Sequence, residues 1–165
     1  MKLFTIGFTK KSAAQFFKLI RDNQIKLLVD IRLNNTSPLA GFSKGEDLEF
    51  FLKELCDCQY EHCIEYAPTK DTLDRYKKKE ISWEKYVSEY QPLMLSRLAP
   101  QKFLKNLSHC IMNKQGRKEK TAFAVFLSVD PAFVRWVVTE FDQAFNISFS
   151  DISCFSSYFS NCIKV

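Results

Sequence analysis

Glycine is scarce, with four residues in a chain of 165, and no G-x-x-x-x-G-K-[S/T] run occurs. That excludes a Walker-type phosphate loop, whose backbone needs glycine to wrap around an anion. No apolar run approaches the length of a membrane span, so no spanning helix is expected. The start, Met1-Lys2-Leu3-Phe4-Thr5-Ile6-Gly7, lacks the apolar core and small-residue cleavage site of a secretion signal, and the expected location is the cytoplasm. Paired C-x-x-C knuckles are missing as well. Cys56, Cys58 and Cys63 follow a C-x-C-x-x-x-x-C spacing beside His62, which does not match a structural zinc site. The six cysteines are expected to be free thiols, mostly buried, with no metal and no cofactor implied. Lysines and aromatics do not interleave as single-strand binding requires, and no helix-turn-helix pattern is present.

What the chain does have is an ordinary soluble composition, 46% hydrophobic and 26% charged, long enough to bury a core as one domain over residues 1–165. Sixteen phenylalanines supply large apolar area for that core. A net charge of +5 permits an anionic partner without requiring one, because the lysines are dispersed. The densest basic runs, Lys77-Lys78-Lys79 and Lys114 to Lys120, read first as solvated surface.

Periodicity places the elements. Lys2 to Ile6 reads as a strand, and Ser12 caps a helix whose Ala13, Phe16, Phe17 and Ile20 share one face and which stops near Asn23. Leu27 to Ile31 is apolar on both faces, as a strand covered on each side must be. Strand, helix and strand at this spacing make a right-handed βαβ unit. A helix over Asp47–Leu55 and a strand over Gln59–Ile64 follow, then a polar helix from Pro68 or Thr69 to Lys79. Ser82 caps a helix running to about Leu98, in which Pro92 predicts a kink or a break. Beyond it the pattern gives a helix over Phe103–Met112, a basic loop around Gly116 and a strand over Thr121–Leu127. A helix from Pro131 to Phe145 and a Ser/Phe/Cys-rich tail from about residue 146 end the chain, with a short final strand at Cys162–Val165. The alternation specifies a single α/β layered domain with a mainly parallel sheet flanked by helices.

In such folds ligands lie beyond the carboxyl ends of the strands. The strand Leu27–Ile31 delivers Asp30 and Arg32 to that rim, where their two-residue spacing puts both side chains on one face. They can pair bidentately as a structural clamp, or Asp30 can act as a base or metal ligand while Arg32 holds an anion. The polar loop after them carries Ser37 and Lys44, a hydroxyl and a lysine near a helix start that suit a phosphate or carboxylate. The plainer reading of that loop is an ordered surface turn with Ser43 capping the helix. Tyr60, His62 and Glu65 lie in or just past one strand. Glu65 is the better site candidate of these, and His62 reads first as a half-exposed strand residue.

Thr5-Ile6-Gly7, the block Leu28-Val29-Asp30-Ile31-Arg32-Leu33-Asn34-Asn35-Thr36-Ser37 and the run Leu39-Ala40-Gly41-Phe42-Ser43-Lys44 together resemble the bacterial family called domain of unknown function 488. Tyr60-Glu61-His62, Ala67-Pro68-Thr69-Lys70 and Trp83-Glu84-Lys85-Tyr86 extend the resemblance over roughly residues 1–98. It implies a compact α/β fold and no established activity. Similar proteins usually carry a strand ending in Cys-x-Glu, then a Pro, then a Cys-His-Arg triplet opening a helix. Here the run is Phe126-Leu127-Ser128-Val129-Asp130-Pro131-Ala132-Phe133-Val134-Arg135, which keeps Asp130, Pro131 and Arg135 but neither the Cys nor the His. Either the chain has diverged from a reaction its relatives perform, or the reading frame has changed.

The expectation is therefore an anion-binding pocket at the strand carboxyl ends, with Asp30 and Arg32 as the reacting pair. Ser37, Lys44, Tyr60, Glu65 and Arg135 would contact a phosphate- or carboxylate-bearing substrate. Hydrolysis is the reaction class considered. The alternative is a non-catalytic binding or regulatory module, and the third option is a nucleic-acid-associated protein.

Overall fold

Ser12 and Gln15 form a reciprocal capping box, each side chain bonded to the other's backbone N–H, which starts the first helix cleanly. Thr69 and Ser82 cap the third and fourth helices in the same way through one side-chain oxygen each. The computed structural model describes residues 2–8, 11–36, 41–97, 122–126 and 152–154. In chain order these form β1 (Lys2–Ile6), α1 (Ala13–Asp22), β2 (Ile25–Asp30), α2 (Gly45–Cys56), β3 (Gln59–His62), α3 (Lys70–Lys77), α4 (Trp83–Ser96), β4 (Ala122–Phe126) and β5 (Ile152–Cys154). Single 3-10 turns occupy Gly41–Ser43 and Ile64–Tyr66.

The five strands make one parallel sheet in the order β3-β2-β4-β1-β5. The α/β class and parallel sheet expected from the alternation are therefore present. The order adds something the alternation does not contain: β1 and β2 are parallel but not adjacent, because β4 inserts between them. In register, Asp30 lies beside Phe126 on one side and His62 on the other, and Ile6 lies beside Phe126.

Phe16, Phe17 and Ile20 of α1 and Leu48 and Leu52 of α2 pack with Phe4, Ile6 and Leu28 of the sheet into one buried cluster. Both helices therefore cover the same sheet face. Leu27, Val29 and Ile31 alternate with Leu28, turn to the opposite face and are buried too, as a central strand requires. Cys58 and Cys63 are buried and Cys56 is half-buried, and none of the three is in a disulfide. No helix among the described residues is long and apolar enough to cross a membrane.

Several boundaries differ from the sequence reading, three of them near the rim or in α4. α4 continues through Pro92 to Ser96 without breaking. Pro92 is on the exposed side, while Tyr90 and Met94 on either side of it are buried and hold the two halves in line. α2 starts at Gly45 with Lys44 as its N-cap and no side-chain cap bond, so Ser43 does not cap it. Ser43 is instead part of the preceding 3-10 turn. β3 ends at His62 and the chain turns into 3-10 geometry at Ile64. The helices expected over 103–112 and 131–145 and the strand expected at 162–165 lie outside the described residues, whereas β5 at Ile152–Cys154 was not anticipated.

Two outcomes follow from this packing. Phe16 is fully buried, and Phe16→Ala is expected to cost about 3–5 kcal/mol in urea unfolding, as for other large-to-small core changes. Between α3 and α4, Glu89 accepts bonds from Arg75 and from the Thr72 hydroxyl. Arg75 first, then Thr72 and Lys85, hold the Glu89 carboxyl below its ordinary value against a smaller opposing effect of burial. A carboxyl depressed in the folded state contributes stability above its unfolded pKa and loses it as pH falls through the folded one. The acid-side fall in Tm should therefore be shallower in Glu89→Gln than in the parent, and identical acid limbs would refute this.

Candidate functional site

Asp30 is the last residue of β2, and its carboxylate is completely buried. A buried carboxylate needs several donors, and the local sequence supplies them. The Arg32 backbone N–H donates to Oδ1 at 3.0 Å, the turn that Asp makes two residues ahead of itself. The Arg32 side chain folds back over the same carboxylate: Nε reaches Oδ1 at 2.9 Å and Oδ2 at 3.0 Å, and Nη2 reaches Oδ2 at 2.6 Å. The Tyr60 hydroxyl, from β3, donates to Oδ2 at 2.7 Å. With these five bonds both oxygens are occupied. The alternatives raised by the two-residue spacing are resolved to this extent: Asp30 and Arg32 pair, and both are sealed, with Arg32 only 4% exposed.

The pair also organises the loop that follows. Arg32 Nη2 donates to the Ser43 carbonyl at 2.8 Å. Asn35 Nδ2 donates to the Tyr60 oxygen at 3.1 Å, and the Asn35 carbonyl accepts the Gly45 N–H at 2.8 Å. Residues 32–35 and 43–45, the two sides of the loop's base, are thereby tied to each other and to β3. The close approach explains Gly45: a Cβ built there would lie 2.5 Å from Asn35 Nδ2. Phe8, just past β1, has its ring 5.9 Å from the Arg32 guanidinium carbon, a cation–π contact. Burial, with Asp30 adding to it, holds the Tyr60 phenol well above its ordinary pKa against the Asn35 amide, so Tyr60 acts as a neutral donor.

The remaining candidates are placed as follows. Lys44 is exposed at the start of α2. The first turn of α2 already carries Glu46 and Asp47, which complement the positive end of the helix dipole. Glu65 is half-buried in the 3-10 turn after β3, where its carbonyl accepts from Arg97 Nη1 at 3.0 Å. His62, at the end of β3, is exposed and has Nε2 at 2.8 Å from the Arg32 carbonyl. Ser37 and Arg135 lie outside the described residues. Burial pushes the Cys58 thiol up to about 12 and raises that of Cys56, so neither is an activated nucleophile at neutral pH. Among the described residues, no group of three or more His, Cys, Asp or Glu is placed to hold a metal ion.

Asn35 and Ser43 are the members of this network that sequence reasoning missed. Ser43 contributes a backbone carbonyl, which any residue type possesses. Asn35 could have been suspected only as a polar side chain in a loop rooted at a buried acid.

The forward connections also matter. From β2 the chain proceeds to β3, toward one edge of the sheet; from the adjacent β4 it proceeds to β5, toward the other. In open α/β sheets, ligands bind outside the carboxyl ends of neighbouring strands whose connections diverge in this way. Asp30 ends the strand on one side of that divergence and Phe126 the strand on the other.

A family model described as Domain of unknown function DUF488 matches residues 12–116, more than half of the chain. The matched range ends before β4, so the run Phe126–Arg135 lies beyond it. No curated protein and no solved structure matches the chain.

The buried pair makes a test by double substitution decisive. Arg32→Met alone leaves a sealed carboxylate with one of its partners gone and should cost roughly 3–5 kcal/mol in urea unfolding. Asp30→Leu combined with Arg32→Met removes both charges and should cost clearly less than the single change. A double variant at least as destabilised as the sum of the two single ones would show that the two groups are not energetically coupled.

Proposed function

The chain belongs to the DUF488 family, and we propose that it is a small-anion-binding α/β domain whose ligand sits at the crevice beyond β2 and β4. The observation that carries this reading is the clamped base of the loop from Leu33 to Lys44, held by Arg32 to Ser43 and by Asn35 to Gly45 at the carboxyl end of β2. A loop fixed at its root can present Ser37 and Lys44 without losing much chain entropy on binding. In this reading Asp30 and Arg32 position the loop, and Tyr60 completes their support. Lys44 and Arg135 supply positive charge, Ser37 a hydroxyl donor, and Glu65 borders the site from the β3 side.

Binding is favoured over turnover for a chemical reason. The Asp30 carboxylate is already saturated by Arg32 and Tyr60, so it has little capacity left to accept a proton from a substrate. The run Phe126–Arg135 carries neither a thiol nor an imidazole. The cytoplasm is the setting that suits cysteines such as Cys56 and Cys58 that form no disulfide.

Thermal-shift and calorimetric titrations of the full chain with inorganic phosphate, simple carboxylates and nucleoside monophosphates test the proposal. At least one should raise Tm, and Lys44→Ala and Arg135→Ala should each weaken its binding roughly tenfold, the effect of one charged hydrogen bond. If no anion stabilises the protein, the proposal fails. Phe133→Cys with Val134→His tests the hydrolytic alternative, since a gain in phosphoester cleavage over the parent would favour it. Oligonucleotide binding that weakens steeply with salt would favour the nucleic-acid alternative.

A further inference from the structure

We draw no further inference here: the strongest candidate, the half-buried Trp83 at the end of the stacked Trp83–Tyr86–Tyr90 ring ladder on α4, is an aromatic face with nothing in the structure to show what covers it.

Discussion

Removing a carboxylate and a guanidinium from water costs several kcal/mol per ion, and the Asp30–Arg32 pair recovers that cost only because its geometry is nearly saturated. Two bonds from Nε, one from Nη2, one from the Arg32 backbone and one from Tyr60 converge on a single buried carboxylate. Such an arrangement tolerates little displacement, and it therefore dictates where its donors must be. Tyr60 fixes β3 against β2 at the level of the strand ends. Ser43 fixes the far side of the loop through its carbonyl, and Asn35 closes the circuit onto Tyr60 and Gly45. The apolar core beneath explains why the sheet and helices associate. The ion pair explains why the rim above them has one arrangement.

Much of this could be read from residue order, and the parts that could not have a common cause. Ser12, Thr69 and Ser82 announce their helices because a cap is a local interaction within three residues. The apolar run to Ile31 announces a strand covered on both faces, and the two-residue spacing of Asp30 and Arg32 allows their pairing. The insertion of β4 between β1 and β2 is not local: its register partners are separated from it by about a hundred residues, and nothing in either segment names the other. Pro92 misled for a related reason. Its local effect is to break a helix, and the burial of Tyr90 and Met94 outweighs it. Asn35 and Ser43 were invisible as site members because one acts through a tyrosine on another strand and the other through a main-chain oxygen.

The inserted strand is also what gives the rim its meaning. Had β1 and β2 been neighbours, the loop after Arg32 would stand beside the turn after Ile6, and both chains would leave toward the same edge. With β4 between them, the strand next to Asp30 is Phe126's, and β5, which follows β4 in chain order, lies toward the opposite edge of the sheet. Phe126, the last residue of β4, therefore lies next to the buried pair in register. The bonds on the Asp30 carboxylate come from Arg32, just past β2, and from Tyr60 on β3, the neighbour on the side away from β4, so the clamp is built on one half of the sheet.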